Sequence, residues 1–123
     1  MMTKPNLDWL RPSANERVQA PFESGEEAWF WFVRTEKAKA DGVRPRAGAD
    51  TARPCEPADI YRCVSRLYHE NTLYPLHLEV LGEYGFLDRM PYPDDHQEIV
   101  DWIVWQDAMD HLEPCLRARG IIQ

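Results

Sequence analysis

Apolar residues recur at helical spacing in four stretches of the chain, and no stretch of useful length shows the two-residue alternation of a strand. The first stretch begins at Ser24. Ser24-Gly25-Glu26-Glu27 has the form of a capping box, in which the serine hydroxyl accepts from the Glu27 amide and the glutamate reaches back. This helix runs to about Ala40. Lys37 and Lys39 lie in its last turn, where cations offset the helix dipole, and Gly42 supplies a left-handed stop. The second helix opens at Pro57, carries Ile60, Cys63, Val64, Leu67 and Tyr68 on one stripe, and stops at Asn71. The third begins at Pro75, lines Leu78, Leu81 and Tyr84 along one face, and is expected to end at Gly85. The fourth is expected to start near Asp94 and carries Ile99, Trp102, Ile103, Met109 and Leu112. Pro114 predicts a kink or break at Glu113, followed by a short turn and a stop at Gly120.

These elements predict an all-α protein: a compact bundle of about four main helices over residues 24–123, with an irregular N-terminal arm over residues 1–23. Leu7, Trp9 and Leu10 are available to dock that arm. Residues 42–56 hold Gly42, Pro45, Gly48 and Pro54 and form a long basic loop, which at that length is functional or mobile.

Two of the helices break the one-face pattern. Ala28-Trp29-Phe30-Trp31-Phe32-Val33 is apolar at six consecutive positions, which at about 100° per residue point around the whole cylinder. Ile99 to Trp105 does nearly the same, interrupted by Asp101. A helix apolar all round is central to a core or covered by something else. Either both helices sit at the centre under the arm, or some of their aromatics form an exposed patch of the kind that marks partner surfaces. The second alternative gives the expected interaction surface: Trp29, Trp31, Phe32, Trp102 and Trp105.

Length and composition narrow the classes. A chain of 123 residues, 44% of them hydrophobic, is one ordinary domain with a core of its own. The longest apolar run is six residues, far short of the roughly 20 needed to span a bilayer, and no signal-peptide pattern is present. Cys55, Cys63 and Cys115 are odd in number and lack CxxC spacing, so reduced thiols and a cytoplasmic location are expected.

The net charge of −7 is unevenly placed. Between Leu67 and Glu113 there are eleven carboxylates and a single arginine, whereas residues 34–53 carry six basic and three acidic residues. The acidic half repels phosphate backbones. Nucleic-acid contact is therefore expected only at the basic end, with Lys37, Lys39, Arg44, Arg46 and Arg53 as the candidate phosphate contacts.

Helices 57–70 and 75–84 are joined by a short link, the geometry of a helix-turn-helix or of an ordinary helical hairpin. The would-be reading helix offers Leu76, His77, Leu78 and Glu79 rather than the Arg, Lys, Asn or Gln that usually meet base edges. Asp107, His111 and Cys115 share a helix face if the helix is regular, which would suit a transition metal, but Pro114 interrupts the set and no second ligand cluster completes it. Asp94, Asp95, Glu98 and Asp101 fall at a helix N-terminus, as capping and solvated residues do. GxSxG, HExxH and a phosphate-cradling Gly-rich loop are absent from the sequence. No metal, no cofactor and no catalytic residue is expected.

Residues 52–62, Ala-Arg-Pro-Cys-Glu-Pro-Ala-Asp-Ile-Tyr-Arg, together with Ala28-Trp29-Phe30-Trp31, resemble short bacterial proteins of unassigned function. The resemblance covers about residues 25–122 and implies a bacterial, cytoplasmic protein without assigning an activity. The chain thus reads as a non-catalytic interaction or regulatory protein that uses the aromatic helix surface and is expected to be a homodimer, its partner a second copy of itself or another protein, with a DNA-associated helix-turn-helix transcriptional regulator as the alternative.

Overall fold

The computed structural model describes residues 20–42 and 53–123. Among these residues there are four helices: α1 Gly25–Ala40, α2 Pro57–His69, α3 Pro75–Leu87 and α4 Ile99–Ala118. Together they form a compact all-α bundle. α1 and α4 pack on each other and on both remaining helices, while α2 and α3 barely meet. The first and last helices are therefore the spine, and α2 and α3 are leaves laid against it.

α1 forms where its caps say it should. The Ser24 hydroxyl accepts from the Glu27 amide at 3.2 Å, and the Glu27 carboxylate accepts from Glu23 N–H at 2.7 Å, one residue earlier than a standard box. A second carboxylate comes from far along the chain: Glu113 of α4 accepts from Gly25 N–H at 2.8 Å, at the positive end of the α1 dipole. Gly42 has φ +75°, the left-handed stop expected of it.

The six apolar residues of α1 are satisfied from several sides at once. Ala28 and Trp29 are buried, Phe30 stacks on Trp105 at 5.5 Å, and Trp31 meets Phe22 at 5.2 Å. Phe22 lies in the segment expected to be irregular, yet it is wholly buried and pairs with the C-terminus: its N–H donates to the Ile121 carbonyl, and Gln123 N–H donates to the Phe22 carbonyl, both at 2.9 Å. The guanidinium of Arg53 lies over the Phe22 ring at 4.2 Å and donates to the Ala20 carbonyl. Residues 20–23, expected to be part of the irregular arm, thus belong to the packed body; residues 1–19, with Leu7, Trp9 and Leu10, lie outside the described residues.

Three boundaries differ from the sequence reading. α3 does not end at Gly85 but at Leu87, and Asp88 takes the left-handed position with φ 61°. α4 starts at Ile99 rather than Asp94, because the Asp95 side chain accepts from Gln97 N–H and its carbonyl accepts from Glu98 N–H, local bonds that compete with a helix. α4 also runs unbroken through Pro114 to Ala118. Pro114 and Asp110 face solvent, where water can serve the carbonyl deprived of its donor, and buried Leu112, Cys115 and Leu116 hold the helix on both sides. Asn71, with φ 64°, stops α2 as expected.

Candidate interaction surface

The expected aromatic surface divides once its residues are placed. Trp105 is wholly buried and Trp29 is 7% exposed, so neither is on a surface. The Trp29 indole N–H donates to the Leu81 carbonyl of α3 at 2.9 Å. Trp31, Phe32 and Trp102 are half-buried. The all-round apolar pattern of the two helices predicts a contact surface; the phase of Trp29 and Trp105 on those helices makes these two core instead. Phe32 also lines a cleft of about 320 Å³ between α1 and α2 with Ala58 and Tyr61, whose rim residues Glu36 and Lys39 are bonded to each other at 3.2 Å.

The apolar residues left exposed on α4 are Val100 and Ile103, at 63% and 56%. They stand opposite the buried stripe Trp105, Ala108, Met109, Leu112 and Leu116, whose spacing was a sequence signal sufficient to find them. The exposed large apolar residues of α3 are Leu76 and Leu87, each about half exposed, and Phe86, whose ring lies under the Lys37 ammonium on the α1 side.

Two hydrogen bonds set α3 against α4. Tyr84 Oη donates to Asp101 at 2.7 Å, and His77 Nε2 donates to Asp107 at 2.7 Å. Residue numbers fall along one helix as they rise along the other, so the pair is antiparallel. The exposed apolar residues neighbour these bonded ones in sequence and flank the seam on its outer side: Leu76 beside His77, Leu87 one turn beyond Tyr84, Val100 beside Asp101. Burial, then donation to Asp101, keeps the Tyr84 phenol protonated far above its ordinary range.

His77 has both ring nitrogens engaged. Nδ1 accepts from Tyr74 N–H at 2.9 Å, which fixes the proton on Nε2, where it is donated to Asp107. A histidine so held caps α3 and locks the seam; it presents no free nitrogen to a substrate or to a base edge. His111 approaches the same Asp107 at 3.8 Å. Cys115 is buried beside Cys63 of α2 instead, and burial, then the neighbouring Cys115 thiol, pushes the Cys63 thiol well above its ordinary range. Among the described residues, no three potential metal ligands converge.

The connection from α3 to α4 is tied by Glu98 rather than left solvated. Its carboxylate receives two bonds from the Arg89 guanidinium, at 2.8 and 2.9 Å, and a third from Tyr92 N–H at 2.9 Å. The Arg89 bonds, then the Tyr92 amide, hold the Glu98 carboxyl down at about 2 from its ordinary value of about 4.5. A carboxyl lowered in the folded state contributes stability that is fully present above about 4.5 and is lost as pH falls toward about 2. Glu98→Gln is therefore expected to be less stable at neutral pH, and its deficit to shrink as pH falls through that window. Urea melts at pH 7 and pH 2.5 check this; an equal gap at both would show that the ion pair contributes nothing.

The basic candidates are mostly engaged internally. Lys37 donates to the Phe86 carbonyl at 3.2 Å and sits over the Phe86 ring, Lys39 bonds Glu36, and Arg53 is held at Ala20 and Phe22 with Glu27 3.9 Å away. Arg44 and Arg46 lie outside the described residues. α2 and α3, the pair considered as a helix-turn-helix, pack on the spine rather than on one another, and Glu79 and Glu83 are exposed on α3.

No protein family matches the sequence, no curated protein matches it, and no solved structure matches its fold. Roles for its residues therefore rest on their geometry. No helix among the described residues is long and apolar enough to cross a membrane.

Proposed function

We propose that the chain is a non-catalytic, cytoplasmic interaction module that binds another protein through the outer face of α3 and α4. The observation that carries this reading is the exposure of Val100 and Ile103 on α4 and of Leu76 and Leu87 on the antiparallel α3, with Leu87 at the Val100 end of the pair and Leu76 at the Asp107 end. Apolar side chains clustered on an otherwise charged surface are the usual mark of a contact site. The engaged nitrogens of His77 support the non-catalytic part of the reading.

This moves the contact surface from the tryptophans to the aliphatic residues next to them. It also bears on a second copy as partner. A two-fold pairing of this face with itself would set Glu83, Asp107 and Asp110 against the same carboxylates, which like charges oppose.

The test is site-specific photo-crosslinking in the native cell. A photoreactive amino acid at position 103 is expected to give a discrete adduct with one protein, identified by mass spectrometry, and the same group at exposed Arg62 on α2 is expected to give none. Equal labelling at both positions, or none at 103, would sink the reading. The double substitution Val100→Ser with Ile103→Ser should abolish the adduct formed from a crosslinker at Leu87. It should change folding stability by no more than about 0.5 kcal/mol per site, since both residues are exposed.

A further inference from the structure

We infer that the partner seated on the α3–α4 face is a basic amphipathic helix. This rests on the interaction reading above and adds the chemistry of the occupant. Two antiparallel helices leave a shallow groove along their seam, and a third helix laid in it contacts both through residues repeating at three and four positions.

The exposed residues along this seam alternate in kind. On α4, Val100 and Ile103 are followed on the same stripe by Asp107 and Asp110, and on α3, Leu76 and Leu87 enclose Glu83. The apolar residues ask for apolar anchors; the carboxylates ask for cations around them. Nothing on the face supplies those cations. Arg89 is the only Lys or Arg between Leu67 and Glu113, and it is committed to Glu98. The nearby His111 and His77 both face Asp107. Glu83 and Asp110 have no basic partner among the described residues. A helix with leucines at positions i, i+3 and i+7 and lysines on either side complements both features, and it would bind less tightly as salt rises.

The experiment uses three synthetic 18-residue helical peptides with identical leucine positions, flanked by lysine, glutamine or glutamate, each fluorescein-labelled and titrated with the full chain by anisotropy. The lysine peptide is expected to bind at least ten-fold more tightly than the glutamine peptide at 50 mM salt, the glutamate peptide not to bind, and the preference to narrow at 500 mM. Val100→Ser with Ile103→Ser should abolish binding, and Glu83→Gln with Asp110→Asn should weaken the lysine peptide alone, both variants retaining the helical circular dichroism of the parent. Equal binding of lysine and glutamine peptides, lost in the serine variant, would overturn the basic partner and leave the interaction face standing. Binding that ignores the serine variant, or no binding by any peptide, would overturn the face as well. Light scattering of the chain alone is expected to give a monomer; a dimer dissolved by the serine variant would make a second copy the occupant and overturn the inference.

Discussion

Replacing Trp105 by alanine is expected to remove about 3–5 kcal/mol of folding stability, a large share of the roughly 5–15 kcal/mol that holds a domain together. The indole is wholly buried at the crossing of the spine, stacked on Phe30 of α1 and edge-on to Tyr84 of α3 at 6.4 Å. Alanine leaves a cavity bordered by three helices, none of which can close it without leaving another contact. The indole N–H, by contrast, has no hydrogen-bond partner in this core. Phenylalanine keeps a ring against Phe30 and removes a buried donor whose desolvation costs about 1–3 kcal/mol, so Trp105→Phe should lose less than half as much as alanine. Urea unfolding followed by circular dichroism measures both. An alanine variant that folds within 1 kcal/mol of the parent but associates differently would place Trp105 on a contact surface instead.

The second large effect has opposite signs at two glycines of one helix. At Gly85 a Cβ would stand 2.8 Å from the Trp29 indole nitrogen and 2.8 Å from a Val33 methyl, while at Gly82 it would meet nothing within 4 Å. Alanine gains roughly 1 kcal/mol of helix propensity over glycine at either position. At exposed Gly82 that gain stands alone, and Gly82→Ala should stabilise by about 0.5–1 kcal/mol. At Gly85 it is set against overpacking of about 1–3 kcal/mol and displacement of the Trp29 bond to Leu81, so Gly85→Ala should be net destabilising. Thermal melts of the two variants side by side decide it; stabilisation by both would mean that α1 and α3 are not in close contact at Gly85.

Those glycines also show what could be read from the sequence and what could not. The start and stop of α1 and the stop of α2 were legible because Ser24, Glu27, Gly42 and Asn71 act on their own backbone within a few residues. Gly85 looked like the same kind of signal, but it is used for close approach by a residue 56 positions away, and the left-handed role passes to Asp88. The candidate face was half legible. Its acidity is plain in the distribution of charge, and its apolar members follow once the phase of α4 is set from Trp105 through Leu116. The ties of Tyr84 to Asp101 and His77 to Asp107, which bring α3 to α4, join residues 17 and 30 positions apart and leave no local trace.

The arrangement of spine and leaves has a consequence for how the chain acquires its fold. Neighbouring helices α2 and α3 scarcely touch, so the middle of the chain offers little local pairing, and the nearest-neighbour units that can form early are α1 with α2 and α3 with α4. α1, which is synthesised before the other three described helices, carries the six-residue apolar run, yet the tryptophan that stacks on its Phe30 lies 75 residues later in α4. Until α4 is synthesised, α2 and α3 can cover only part of that run, and Phe30 lacks its stacking partner. Unfinished chains are therefore expected to be more aggregation-prone than the complete bundle, and a chaperone that recognises the nascent state would be expected to hold residues 28–33.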